Sequence, residues 1–268
     1  MLIFWRDRDG RGILGIESRA NDVEMKRYLP DWLLSWLRGT RVWRFLGGIK
    51  ERLYRRISES YRRHSLVGPA RLWRMKRSFQ IEALKRLGLD EDDTFLDVGC
   101  GTLRGGLPVV EYLRQGGYFG FDVRPVTVLE AKREVEDHNL SWKRPHLVVA
   151  DVNAIPLSLS FDVVWAFSLV FHLSDVKLAR LLEYCGESLA ADGCMFFNAT
   201  IGSRAEYSWE EFPFIIRPLA KYAAVARRHN LVISDLGSLE AWGHDSGRVG
   251  HDSQRLIQAK RANKSDRN

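Results

Sequence analysis

From residue 66 onward, short apolar runs alternate with longer stretches in which apolar residues recur every three or four positions. Runs of four to eight apolar residues bounded by Gly, Asp or Asn read as strands, and a three-four recurrence marks one face of a helix. The pattern predicts helices over 69–87 (closed by Gly88), 104–114, 125–138, 175–189 (capped by Ser174 or Asp175) and 212–229 (closed by Asn230). It predicts strands over 94–98, 118–122, 146–150, 161–167, 194–198, 231–236 and 255–260. Strand and helix alternate in order, which implies βαβ units and a mostly parallel sheet, an α/β fold of seven strands. The last two strands follow a helix and face each other, so a hairpin at the sheet's edge is expected.

One apolar run, residues 155–173, is long enough to resemble a membrane span. Asp162 lies near its middle and Pro156 near its start, and a charge at that depth in lipid is costly. A parallel strand covered by helices on both faces also reads as a continuous apolar run. The strand reading is preferred.

Composition changes this picture mainly at the front of the chain. Hydrophobic residues make up 45% of the 268, ordinary for a protein with a sizeable core. Residues 1–90 carry 21 Lys/Arg against 10 Asp/Glu, while the whole chain is +7, so residues 91–268 are at −4. The basicity therefore belongs to an extension, residues 1–65, rich in Arg and Trp. A globular part covers 66–262, and a polar tail, ANKSDRN, closes the chain. Cys100, Cys185 and Cys194 lack metal-ligand spacing, which argues against a zinc site or a disulfide framework and suits a reducing, cytoplasmic setting. The amino terminus is charged by its sixth residue and is not read as a secretory signal.

The clearest chemical signal is FLDVGCGTLRGG, where the first predicted strand meets the next helix. Glycines there let the backbone turn tightly and approach a ligand at the carboxyl edge of the sheet. The spacing of Gly99, Gly101 and Gly105 is neither the dinucleotide pattern nor a phosphate loop. Asp122 closes the second strand, 21 positions after Gly101. A carboxylate on a rigid strand end there accepts from two ribose hydroxyls; the alternative is a helix-capping aspartate. Asp151 follows the third strand and is placed to accept from the amine of adenine, with Val152 against the ring; the alternative is a turn aspartate.

Together these segments resemble the class I S-adenosylmethionine (SAM)-dependent methyltransferases. The resemblance rests on LDVGCG, GFD, ADVNAIPLSLSFDVVWA and SLAADGCMFFN and covers roughly residues 68–262. GCGTLRGG, LVGPARLW and FQIEALKRLGL point to a bacterial branch acting on small molecules and glycans. The family implies a Rossmann-like seven-stranded sheet with helices on both faces, here fronted by a helical extension, and SAM as cofactor. It implies that Asp97 and Gly99 line the amino-acid end of SAM, Asp122 its ribose and Asp151 its adenine. Cys100, Gly101, Arg104, Val123, Val152 and Phe167 complete the expected cofactor site. One departure is Leu103, where the family's turn has a third glycine. Arg104 follows it and either holds the methionine carboxylate or opens the helix and faces water.

A sulfonium methyl is already a good electrophile, so the protein must align an acceptor and, for a hydroxyl, remove its proton. His172, just past the fourth strand, is the candidate base, a structural histidine being the alternative. His64, His138, His146 and His229 read as helix-end or surface residues. His244 and His251, in WGHDSGRVGHDS, read as a polar surface turn, with a loop closing over the acceptor as the other possibility. The fourth strand leads into AFSLVFHL rather than an Asn/Asp-Pro-Pro-Tyr/Phe turn, which favours O-methylation of a small molecule, sugar or glycolipid over methylation of nucleobase amines. The aromatic segment 207–217 is either an acceptor lid or the start of a core helix.

The extension carries an apolar face of Val42, Phe45, Leu46, Ile49, Leu53, Ile57 and Tyr61 at helical spacing, with Arg44, Lys50, Arg52, Arg55, Arg56, Arg62 and Arg63 filling much of the rest. A basic amphipathic helix with Trp32, Trp36 and Trp43 suits an anionic membrane surface, reached through residues 30–63. A lid or oligomer contact ranks next and nucleic acid after it. Methylation of RNA or protein, recruited by these helices, is the alternative function, and a non-catalytic SAM-binding module a third. No metal is expected.

Overall fold

The computed structural model describes residues 59–155, 158–209 and 212–262. The chain divides into two compact units, Met1–Arg62 and Arg63–Asn268, and almost all described residues belong to the second. After α1 (Glu59–Ser65), a short 3-10 turn at Ala70–Leu72 leads into α2 (Trp73–Arg86). Then come β1 (Phe95–Val98), α3 (Gly106–Tyr112), β2 (Tyr118–Asp122), α4 (Pro125–Asp137), β3 (His146–Val149) and β4 (Phe161–Ala166). The chain continues through α5 (Asp175–Ser188), β5 (Leu189–Ala199), β6 (Ala205–Trp209), β7 (Phe212–Ile216), α6 (Leu219–Arg227), β8 (Leu231–Ser238), α7 (Val249–Asp252) and β9 (Arg255–Arg261).

Seven strands form one sheet in the order β3-β2-β1-β4-β5-β9-β8. The first five are parallel, and β9 runs antiparallel between β5 and β8. The expected closing pair is therefore present, with its second strand inside the sheet and its first at the edge. This is the Rossmann-like α/β arrangement that the strand-helix alternation predicts. The run at 155–173 contains β4, a buried strand, and no described helix is long and apolar enough to cross a membrane.

Alternation along each strand assigns its side chains to two cores. Phe95, Val163, Trp165 and Phe167 face α2, α3 and α4, packing with Phe79, Leu84, Val110 and Val128. Leu96, Val98, Val164 and Ala166 face α5 and α6, packing with Leu178, Leu182, Tyr222 and Val225. Helices thus cover both faces. The strands need that cover, because fully burying each large apolar side chain contributes about 1.5–3 kcal/mol.

The sequence pattern misassigned one segment. Residues 212–229 are not one helix: β6 and β7 pair as a separate two-stranded hairpin, and only Leu219–Arg227 is helical. Pro213 and Pro218 explain the difference. Proline lacks the amide a helix interior needs, is tolerated on a two-stranded edge, and pre-sets a helix entry, where Pro218 serves as the cap of α6. Arg63 also departs from its expected role. Rather than offering charge to a surface, it is buried, donating to Glu130 at 2.9 Å, Glu134 at 2.7 Å and Asp137 at 2.7 Å, so it joins α1 to α4. The apolar face at 42–57 and the tail at 263–268 lie outside the described residues.

Candidate functional site

Parallel strands bring their carboxyl ends to one edge, and that edge collects the side chains singled out above. At β1 the chain leaves through Gly99 (φ 73°) and Gly101 (φ 58°), both left-handed. A Cβ at Gly101 would lie 2.7 Å from the Val67 side chain, so the turn is roofed by the loop entering α2. Leu103, the departure from the glycine pattern, also has positive φ (60°) and is fully buried. The turn thus keeps its left-handed step without glycine, held by a side chain locked into the core.

Asp122 ends β2 at the mouth of this turn. One carboxylate oxygen accepts from the Gly101 amide at 3.2 Å and the other from the Arg124 amide at 2.9 Å. Burial raises its pKa, partly offset by those amides and the Arg124 guanidinium. Asp97 lies deeper, 6% exposed, and accepts from the Tyr118 hydroxyl at 2.6 Å. Burial, with a contribution from Asp122, pushes the Asp97 carboxyl up to about 7. Cys100 is buried in the same turn with its thiol pKa raised by burial, so it is inert packing rather than a nucleophile.

Asp151 follows β3 and accepts from Lys177 at 2.7 Å and from the Asn153 amide at 2.9 Å. Burial alone would raise it, but Lys177 outweighs that and the carboxyl sits below its usual range. Val152 is buried beside it and Val123, after β2, is half exposed. Phe167 is turned inward, stacked on Trp165 with ring centroids 5.5 Å apart and tilted against Phe79 at 5.6 Å. Arg104 does not face water. It is buried, donates to the Val67 carbonyl at 2.6 Å, and its Nε has no partner. Burial lowers it to about 10.

The other half of the edge belongs to β4, β5 and the hairpin. After β4 the chain turns at Ser168 (φ 60°), whose amide donates to the Asn198 side chain at 2.6 Å. Asn198 donates in turn to Gln254 at 2.5 Å, and Gln254 to Thr200 at 3.4 Å. His172 closes a 3-10 turn there, and its Nδ1 donates to the Pro213 carbonyl of β7 at 2.7 Å. A carbonyl only accepts, so the neutral ring carries its lone pair on Nε2. Burial lowers its pKa, against a smaller opposing effect of the Pro213 hydrogen bond, a direction that favours the neutral form a base requires.

The hairpin is anchored at its exit by Arg217, fully buried. It donates to Asp175 at 2.9 Å and to the Leu173 carbonyl at 2.6 Å. At its other end Phe212 lies 5.7 Å from the Arg124 guanidinium, which also donates to the Leu66 carbonyl at 2.9 Å. The hairpin therefore reaches from β4 back to β2, across the line where the glycine turn and Asp122 face outward.

The residues missed by sequence reasoning are mostly in this half. Gln254, Arg124 and Arg217 carry no motif, and Asn198, though it ends the SLAADGCMFFN segment, was given no role, because their partners lie far away in the chain. One histidine was also misplaced: His244 is not a surface residue but 2% exposed. His64 lies at the end of α1, as expected, half-buried, stacked on Trp73 at 3.6 Å and lowered by burial to about 4.

Residues 95–193 match the family model described as "Methyltransferase domain". The chain carries a SAM-dependent methyltransferase domain. Solved structures share its fold. A S-adenosylmethionine-dependent methyltransferase from Clostridium acetobutylicum ATCC 824 is 13% identical with a TM-score of 0.54, covering 83% of this chain and 100% of its own. Magnesium protoporphyrin IX methyltransferase from Synechocystis PCC 6803, solved with bound SAM, is 14% identical at a TM-score of 0.55, covering 79% and 97%. The glycopeptide N-methyltransferase MtfA is 14% identical at 0.55, covering 69% and 90%. No curated protein sequence matches the chain.

The cofactor of such domains is SAM, and the residues present fit it. Gly99 and Gly101 carry no side chains of their own at the strand end, with only the apolar Leu169 and Val67 side chains packed over them, and Asp122 presents a buried carboxylate beside the turn.

Proposed function

We propose that this methyltransferase transfers the SAM methyl group to a hydroxyl of a small-molecule or sugar acceptor, glycolipids included. The observation that carries the reading is the division of the sheet's edge. A carboxylate and glycine turn stand on the β1–β2 side, and a histidine held by a lid-like hairpin stands on the β4 side. In this reading Asp122 takes the ribose hydroxyls, Asp97 and Gly99 line the amino-acid end, and Cys100 and Gly101 line the turn. Asp151 meets the adenine amine, Val123 and Val152 flank the ring, and Phe167 backs the site from the core. Arg104 holds the methionine carboxylate.

The chain's own work is positioning and proton removal. His172 Nε2 takes the acceptor's hydroxyl proton, with Nδ1 fixed by Pro213 so that the ring keeps one tautomer and one direction. The hairpin excludes water from the methyl. SAM supplies the electrophilic methyl and leaves as the neutral thioether. The enzyme is proposed to be cytoplasmic, with residues 30–63 serving as an anionic membrane contact, a lid or oligomer contact ranking next and nucleic acid after it. The methyltransferase part is proposed to span 66–262.

The test uses radiolabelled SAM with panels of phenols, sugars and amines, followed by His172→Ala on whichever acceptor is labelled. The expected result is label on a hydroxyl, with turnover lowered by about 10²–10⁴ in the variant and SAM affinity unchanged. Label on amines or RNA alone, or wild-type turnover in the variant, would overturn the reading.

A further inference from the structure

Behind the glycine turn and apart from the hairpin, one group of polar side chains is buried with unpartnered atoms. Lys76, in the first turn of α2, is 7% exposed, and its ammonium makes no hydrogen bond or ion pair among the described residues. Arg104 Nε, His244 Nε2 and His251 Nδ1 are buried and unpartnered as well. These groups share one electrostatic neighbourhood. Burial, then Arg104 and Arg248, lower the Lys76 ammonium to about 7. Burial, then Lys76, lowers His251 to about 4, and burial lowers His244 against its Asp252 hydrogen bond, with a smaller contribution from Lys76.

The carboxylate facing them is already committed. Asp252 accepts from His244 Nδ1 at 2.6 Å, the Ser246 amide at 3.0 Å and the Arg248 amide at 3.1 Å. Asp252 offsets Lys76 only through space and hydrogen-bonds neither it nor Arg104, so Lys76, Arg104 and Arg248 together outnumber the facing anion and leave a place for a second one from outside.

Placement says which molecule brings it. The segment carrying His244 and His251 connects β8 to β9 and so lies at the carboxyl end of β8, on the far side of β4 and β5 from Asp122. The His244 ring stands edge-on to Phe79 at 4.8 Å and 6.2 Å from Phe167, just past β4. This is the acceptor half of the edge. SAM carries one carboxylate together with two positive centres, so its arrival leaves the local excess of cations in place.

We propose that Lys76, His244 and His251, with Arg104 Nε on the cofactor side, form a subsite for a carboxylate or phosphate group carried by the acceptor. This rests on the methyltransferase reading and narrows its acceptor to an acidic molecule. Lys76 donates to the oxyanion directly. Asp252 holds His244 Nδ1–H and stabilises the imidazolium, so an approaching anion favours a proton on Nε2, which then donates too. The enclosed position also makes the unpaired lysine a cost to folding, of the kind retained at binding sites.

The test follows the His244 and His251 ring signals by NMR in the full-length protein saturated with S-adenosylhomocysteine, titrated with benzoate and separately with inorganic phosphate. The expected result is a saturable shift of both histidines with at least one probe. In Lys76→Met that probe should bind about tenfold or more weakly, while S-adenosylhomocysteine affinity stays within about twofold. Lys76→Met should also melt at a higher temperature than wild type, because it removes a buried unpaired charge. No saturable shift with either probe, or unchanged probe binding in the variant, would overturn the proposal. So would a lower melting temperature, which would reveal a structural partner for the ammonium. Loss of S-adenosylhomocysteine affinity in the variant would assign the subsite to the cofactor's own carboxylate and equally overturn it. The same titrations without S-adenosylhomocysteine read the subsite alone, so failure of the wild type to bind the cofactor product would count against the cofactor reading and not against this one.

Discussion

The two halves of the sheet's edge are built differently. On the β1–β2 side Asp97 and Asp122 sit near the ends of their own strands, and their main contacts are short-range or come from the adjacent strand. Asp122 meets the Arg124 amide and the neighbouring turn, and Asp97 meets Tyr118 of the adjacent β2. On the β4–β5–β9 side nearly every contact joins distant segments: His172 with Pro213, Arg217 with Leu173 and Asp175, Ser168 with Asn198, Asn198 with Gln254. The first half is a local device that any chain with this strand-turn-helix can make. The second exists only when the sheet is complete. A fold can therefore keep one cofactor while its acceptor changes, because changes in the second half leave the first intact.

The sharpest way to break this comparison is Arg217→Ala. The change removes a fully buried guanidinium and leaves the Leu173 carbonyl without its donor, a loss of about 3 kcal/mol. Thermal denaturation should show a clear drop in melting temperature, while S-adenosylhomocysteine affinity measured below the transition stays near wild type. If cofactor affinity falls in parallel, the two halves are coupled and the division is wrong.

Asp122→Ala asks the reverse question. Loss of hydrogen bonds from two ribose hydroxyls to a charged group, each worth about 1.5–3 kcal/mol, should weaken S-adenosylhomocysteine binding at least tenfold by calorimetry. The hairpin half should keep its structure, read from unchanged His172 ring signals. Unaltered affinity would remove the cofactor assignment.

A smaller effect is confined to one pH window. The Asp97 carboxyl is raised from 3.8 to about 7 in the folded protein by burial. Between those values the unfolded chain loses a proton that the folded chain keeps, so this group's contribution is full below about pH 4 and declines as pH rises toward 7. Asp97→Asn should flatten that decline in a series of denaturant melts without changing the melts near pH 4. An identical slope in both proteins would mean that Asp97 is ionised in the folded state.

Much of the fold was legible along the chain because strands and helices with two-sided burial leave periodic apolar patterns. Six of the seven sheet strands were predicted at nearly their observed positions, and the fifth was predicted from 194 where it begins at Leu189. The hairpin was missed because its aromatic residues, Tyr207, Phe212 and Phe214, fit a helical face as well as an alternating strand, and the prolines were the only local sign against a helix. Of the candidate site, Asp97, Gly99, Gly101 and Asp122 were legible, since strand ends and turns require particular residue types. His244 and Lys76 were not, because nothing local distinguishes a buried histidine or lysine from a solvated one.

By itself the sequence determined the order of the sheet strands and the helices between them, and the glycine turn with its carboxylate, since each follows from residues close together in the chain. Tertiary structure alone decided that β9 lies inside β8, that Arg63 is spent on Glu130 and Glu134, and that Arg104 turns away from water. It also decided that Lys76 meets the segment carrying His244 and His251. The physical reason is one of range. Backbone preference and apolar period act over a few residues, whereas burial and charge pairing depend on which distant segments share a space, and that is set only when the sheet closes.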